Sequence, residues 1–333
     1  MRPYLVFQAL ILSACAPALA WGERSYGAIN TSEPRSFTVR IQTEVTIPAS
    51  GPACTQVRIW HAVPPWKPWT QTAAPLGASD LRSAPTAKLE PETDGRSTHF
   101  FYANDRRFAA GEKVQLVTSF KVNSVKRSFN PSTSRTDWYR VQNQVSKATA
   151  PSNAEIRALA ESLKGTHDPA STVVQFCQWI YTNIKYDAQV DYGNEDVRAI
   201  LAHKRGHCGH MGVLLQQMCN AVGLNTRPAL GMILEKPMGK LASADTPNDL
   251  GNIHTWAEVE LPGTGWIEVD PAAGDKCFVI PANYVQNNTS FQNASVWVKE
   301  EKQPTRPITW SYSGGKAKCD YNVLTRITYT ADR

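Results

Sequence analysis

The spacing of apolar residues changes period near Pro151, and this change limits the folds open to the chain more than any other feature. Upstream, Phe37-Thr38-Val39-Arg40-Ile41-Gln42-Thr43-Glu44-Val45 alternates apolar and polar residues, the period of a half-buried strand. Val57-Arg58-Ile59-Trp60 and Val114-Gln115-Leu116-Val117 are further strand candidates. Between them, Pro64-Pro65-Trp66-Lys67-Pro68-Trp69 cannot sit in a central strand, because proline offers no ladder donor. Trp66 and Trp69 are expected as rim packing, with cover of a groove as the alternative. Residues 36–145 are therefore expected to form a β-rich N-terminal domain.

Downstream the period becomes helical. Ser152 or Asn153 can cap a helix that runs to Lys164 and ends at Gly165. Asp168-Pro169 has the form of an N-cap followed by proline at the first helical position. The helix after it carries Val173, Phe176, Cys177, Ile180, Tyr181 and Ile184 on one face. A short helix is expected over 196–204. Met211, Leu214, Leu215, Met218 and Val222 then form another apolar stripe, closed by Gly223. Strands are expected at Arg227–Ile233, Ile253–Leu261 and Trp266–Val269, with a long polar loop over 236–251 just before His254. Helices followed by strands argue for an α+β core over 151–275, trailed by a β and loop extension over 276–333.

Composition narrows the function. The 333 residues are 42% hydrophobic, enough for two domains, and carry a formal charge of +6. No basic run is present, which excludes a nucleic-acid arm; Lys126-Arg127 and Lys204-Arg205 are isolated pairs expected on the solvated surface. Arg2, the apolar run Leu5–Leu12 and Ala18-Leu19-Ala20 fit a signal peptide over residues 1–20, cleaved before Trp21. The alternative is Leu12-Ser13-Ala14-Cys15 as a lipobox, leaving a lipoprotein anchored through Cys15. Both place the protein outside the cytoplasm, periplasmic or secreted, with no membrane span. Cleavage would leave Cys54, Cys177, Cys208, Cys219, Cys277 and Cys319. Cys277 and Cys319 are the expected pair, and Cys177 and Cys219 are expected as buried free thiols.

The chemistry centres on Arg205-Gly206-His207-Cys208-Gly209-His210. Here a cysteine lies between glycines and basic residues at the start of a helix, where backbone N–H groups and nearby cations favour thiolate. His254 on a strand and Asp270 at the end of the next complete a candidate nucleophile, base and orienter. Strand register supplies a test. His254 and Asp270 share a face if paired residue numbers sum to an even value, as with Glu260 opposite Trp266; His254 then lies diagonal to Asp270. A zinc site from His203, His207 and His210 around Cys208 is disfavoured, because adjacent His207 and Cys208 cannot point the same way on one element. No metal and no cofactor are expected.

Gly206-His207-Cys208-Gly209 with its helix, His254-Thr255-Trp256-Ala257-Glu258, and Gly265-Trp266-Ile267-Glu268-Val269-Asp270-Pro271 together resemble the transglutaminase-like superfamily of cysteine enzymes. Asn183-Ile184-Lys185-Tyr186-Asp187 is similar to the helix end that precedes the nucleophile in that family. The resemblance spans about 152–275 and implies a papain-like α+β core. It assigns catalytic Cys208, His254 and Asp270, with a thioester intermediate on peptide-like amides. Tyr186 is a candidate oxyanion donor, beside the plainer reading of core packing. Water as acceptor gives a peptidase or amidase, and an amine gives transamidation. The expected partner is a peptide or protein, cell-wall peptides included. The alternative is a catalytically silent binding module in the cell envelope.

Overall fold

The computed structural model describes residues 24–26, 29–64, 67, 71–75, 88–91, 98–134, 136–143, 153–190, 192–193, 196–234, 253–288, 294–304, 306–307 and 321–332. The signal segment, Trp66 and Trp69, the loop over 236–251 and Cys319 lie outside them. The N-terminal part comprises β1 (Arg24–Tyr26), β2 (Ile29–Thr46), β3 (Cys54–Val63), β4 (Gln71–Pro75), β5 (Lys88–Pro91), β6 (Thr98–Asp105) and β7 (Lys113–Phe129). Five helices follow with two short strands among them: α1 (Trp138–Asn143), α2 (Ala154–Lys164), α3 (Pro169–Asn183), β8 (Lys185–Tyr186), α4 (Val197–His203), β9 (Arg205–Gly206) and α5 (Cys208–Ala221). The chain then runs through β10 (Thr226–Ile233), β11 (Ile253–Leu261), β12 (Gly265–Val269), β13 (Val279–Ile280), β14 (Tyr284–Asn288), β15 (Ala294–Glu300), β16 (Arg306–Pro307) and β17 (Asn322–Asp332). The fold is α+β.

Local chemistry explains the helix starts. Asn153 accepts from the Glu155 N–H, and Gly165 ends α2 at φ 47°. Asp168 accepts from the N–H groups of Ala170 and Ser171, with Pro169 at the first helical position. Val173, Phe176, Cys177 and Ile180 of α3 and Met211, Leu214, Leu215 and Met218 of α5 are buried in one core with the sheet β12-β11-β10-β14.

The 18-residue β2 and 17-residue β7 pair over nearly their whole length. One face of this pair serves two cores. Val45, Val114 and Leu116 pack against Val57, Ile59, Val296 and Val298 of the second large sheet, β16-β15-β3-β6-β5. Phe37, Val39, Phe120 and Val122 pack instead against Met232 and Val285 of the sheet that carries β11. Between the two cores, His61 bonds Thr118 Oγ1 at 2.9 Å and Thr43 Oγ1 at 2.8 Å. Burial lowers its pKa to about 3, so it stands there as a neutral, fully bonded ring.

The residues after 276 are shared out. β13 pairs with β7, β14 with β10, β15 with β3 and β17 with β2. Cys277 is a free thiol among the described residues, fully buried in the core beside Cys177 of α3; its expected partner Cys319 lies outside those residues. Cys177 and Cys219 are buried free thiols as expected.

Candidate active site

Cys208 is the first residue of α5, and the helix start is capped by two imidazoles. His207 Nδ1 accepts from the Gly209 N–H at 3.1 Å, and His210 Nδ1 accepts from the His207 N–H at 3.2 Å. This is a capping box with histidine in both roles. His210 Nε2 donates to the Tyr192 carbonyl at 3.1 Å, and burial with the neighbouring His207 lowers its pKa to about 4. The ring is thus neutral near pH 7 and keeps its accepting nitrogen. Gly206 makes room for it, since a Cβ there would lie 2.7 Å from that of His210.

The Cys208 side chain is 6% exposed. Burial alone would raise a thiol, but hydrogen bonds and charge from His207 and His254 outweigh it and lower Cys208 to about 5. Burial pushes Cys54, Cys177 and Cys219 the other way.

β11 and β12 pair with Glu260 opposite Trp266, the even-sum register. His254 is therefore diagonal to Asp270, and its Nε2 donates to Asp270 Oδ2 at 2.9 Å with both residues 1% exposed. Burial opposes charge on His254, but the Asp270 carboxylate and the Cys208 sulfur raise it to about 10. Nδ1 is buried, and with Nε2 held by Asp270 it is the nitrogen on the side of the Cys208 interaction. It is the ring atom left to serve the thiol. The three residues singled out in the sequence thus meet in one buried cluster.

Asp270 is fully bonded. Oδ1 accepts from the Ala272 N–H at 2.9 Å, capping the 3-10 helix Pro271–Lys276, and Oδ2 also accepts from Tyr284 Oη at 3.2 Å. Tyr284, on β14, was not anticipated from sequence. Its ring lies edge-on to His254 at 5.3 Å and to Trp256 at 5.7 Å. Tyr186 is set beside the site by the short parallel pairing of β8 with β9, which puts it opposite Gly206. Burial and the nearby Cys208 and Asp270 push its hydroxyl up, and it is hydrogen-bonded to Cys208.

A charged network lies behind the histidine. Trp256 stacks on His254 with centroids 5.8 Å apart and planes at 22°. Its Nε1 donates to Glu268 Oε1 at 3.0 Å. Arg127 grips Glu268 with two bonds, Nε to Oε2 at 2.5 Å and Nη2 to Oε1 at 2.9 Å. Lys67 Nζ lies 3.1 Å from Glu268 Oε1 and 3.0 Å from Glu258 Oε1. The sequence placed Lys126-Arg127 on the solvated surface. Lys126 is there, paired with Glu33. Arg127 instead is 3% exposed, because the carboxylate that balances it lies 141 residues away on β12. Alternation along β11 and β12 puts Glu258 and Glu268 on the face of His254, which is the signal that could have disclosed them. Among the described residues, no group of three or more His, Cys, Asp or Glu is placed to hold a metal ion. No helix among them is long and apolar enough to cross a membrane.

Residues 157–271 match Transglut_core, the transglutaminase-like superfamily. No curated protein matches the sequence. Among solved structures, a candidate cysteine protease from Cytophaga hutchinsonii is similar over 91% of this chain and 100% of its own, at 13% identity and a TM-score of 0.54. The periplasmic domain of TgpA from Pseudomonas aeruginosa aligns over 72% of this chain and 88% of its own, at 18% identity and a TM-score of 0.36. The likeness to the Cytophaga hutchinsonii protein, at 13% identity, is one of fold, and its span includes the β-rich N-terminal part. The matched span holds Cys208, His254 and Asp270, and residues 157–271 are accordingly a core of the transglutaminase-like superfamily.

Proposed function

We propose that the protein is an exported cysteine enzyme that cleaves or transfers acyl groups at peptide-like amides through Cys208, His254 and Asp270. The observation that carries this reading is the buried cluster itself, with Asp270 on the His254 imidazole at 2.9 Å, the thiol lowered by His207 and His254, and the imidazole raised by Asp270 and Cys208. Both directions favour thiolate and imidazolium, the form that attacks a carbonyl.

Cys208 Sγ attacks the amide carbon, forming a C–S bond while the C=O electrons move to oxygen. The capping imidazoles engage the N–H groups of His207 and Gly209. The Cys208 N–H between them is left for the oxyanion, with Tyr186 Oη as a second donor. As the intermediate collapses, the C–N bond breaks and the amine leaves with the proton from His254. The acyl group stays on sulfur as a thioester. His254, now neutral, takes a proton from water or an incoming amine, which attacks the thioester and returns the thiolate. Asp270 fixes the ring by holding Nε2–H and favours the imidazolium throughout. The pattern over residues 1–20 supports action outside the cytoplasm.

The test is capture of the thioester. Incubation with peptide and cell-wall fragment libraries, quenched with hydroxylamine, is expected to yield hydroxamates with the wild type and none with Cys208→Ala. Products that persist in Cys208→Ala, or no turnover of any amide by the wild type, would overturn the reading.

A further inference from the structure

We propose that Arg127, from the N-terminal β-rich part, is a positioning residue that holds the His254 imidazole from behind through Glu268 and Trp256. The inference rests on the assignment of His254 as the base and adds a residue that lies outside the 157–271 span.

The chain of contacts is continuous. His254 needs its ring plane fixed so that one nitrogen meets Asp270 and the other the thiol. One face of the ring lies on Trp256. A tryptophan can stack in more than one rotation; its Nε1–H selects one, and here that hydrogen goes to Glu268 Oε1. The carboxylate must in turn be held still. Arg127 does this with a fork matched to both oxygens, and a guanidinium fork fixes the carboxylate plane as well as its place. Arg127 also donates to the Tyr284 carbonyl, at 3.4 Å from Nη1 and 3.3 Å from Nη2. Tyr284 is the residue whose hydroxyl bonds Asp270. One side chain therefore steadies both partners of the catalytic pair.

Apolar side chains border the same spot, with the Phe129 and Phe278 rings edge-on at 5.0 Å and Ile267 buried, but none of them bonds the Glu268 carboxylate. A cavity of about 240 Å3 lies between β7 and the β11–β12 hairpin, lined by Arg127, Glu268, Lys67 and Glu258 among others. Lys67 supports Glu268 with a single ammonium, but a point charge does not set the carboxylate plane. Glu268 is held well below the usual carboxylate range, against the effect of burial, by Arg127 and Lys67. It therefore stays an acceptor for Trp256 across the working pH range.

The test is the pH dependence of iodoacetamide alkylation at Cys208, read by mass spectrometry with no substrate. Arg127→Gln is expected to remain folded by circular dichroism while the alkylation midpoint rises; turnover, once a substrate is known, should fall about 100-fold, the scale of a sub-ångström to ångström misplacement. Trp256→Phe, which keeps an aromatic face but deletes the donor, should shift the midpoint in the same direction. It decides the matter if Arg127→Gln fails to fold. Arg127→Lys should restore part of the shift, and the exposed Lys126→Gln none. A wild-type profile in folded Arg127→Gln or in Trp256→Phe would overturn the proposal, as would an equal shift in Lys126→Gln. These outcomes are separate from failure of the enzyme reading, which would show as an ordinary Cys208 thiol in the wild type.

Discussion

At the residue scale, the site is a contest between burial and partners. Burial opposes ionisation of Cys208 and His254 alike; His207 and His254 outweigh that cost for the thiol, and Asp270 and Cys208 outweigh it for the imidazole. The linkage signs follow. Cys208 is lowered, so its stabilising contribution is present at high pH and is lost as pH falls through about 5. His254 is raised, so its contribution is present at low pH and is lost as pH rises through about 10. Both contribute between those limits. Asp270→Asn removes the largest influence that raises His254, so the upper limit should fall and the lower one rise, narrowing the reactive window. A pH series of Cys208 alkylation checks this, and turnover should drop by about 100-fold or more. Tyr284→Phe removes one of the bonds to Asp270 and leaves the others, so thermal denaturation should report a loss of about 1 kcal/mol. Cys208, His254 and Asp270 were legible in the sequence because each sits at a local landmark: a glycine-flanked helix start, an alternating strand, a strand end before proline. Tyr284 and Arg127 carry no such landmark. Their roles come from partners far along the chain.

At the element scale, two junctions hold the site. The α5 start is capped by two imidazoles, and the β10–β14 junction is set by a glycine. β14 shifts register against β10 between Leu230 and Gly231, and a Cβ at Gly231 would fall 2.0 Å from the Val285 carbonyl and 2.7 Å from the Trp256 ring. Gly231→Ala should therefore push apart the strand that carries Tyr284 and the ring that backs His254. The expected outcome is a loss of at least about 1–3 kcal/mol in denaturant unfolding, together with slower Cys208 alkylation at neutral pH. By contrast, Asp168→Ala deletes a helix cap on α3 away from the sulfur, and should cost about 1 kcal/mol while leaving the alkylation profile unchanged. Periodicity disclosed these helices because their signals are local, and it reduced the hairpin register to an even or an odd sum, which the structure resolves as even. It could not show that β14 joins the β11 sheet, since the pairing of Tyr284 with Ile233 depends on strands 51 residues apart.

At the scale of the whole molecule, the β-rich part and the transglutaminase-like core are joined by shared strands and by buried charge. β2 and β7 give one face to both, β13 and β17 return to that sheet, and Arg127 reaches from β7 to Glu268, behind the layer that carries His254. An isolated surface pair was the natural sequence reading of Lys126-Arg127, because charge burial depends on a partner that only the fold brings near. The molecule thus converges on one thiol. The most direct test of the account is the pH profile of Cys208 alkylation in the wild type and in His254→Ala. The account predicts a wild-type midpoint near pH 5 and a midpoint in His254→Ala moved up toward that of an ordinary thiol, about 8.5. A wild-type midpoint already at the ordinary value, unchanged by His254→Ala, would contradict it.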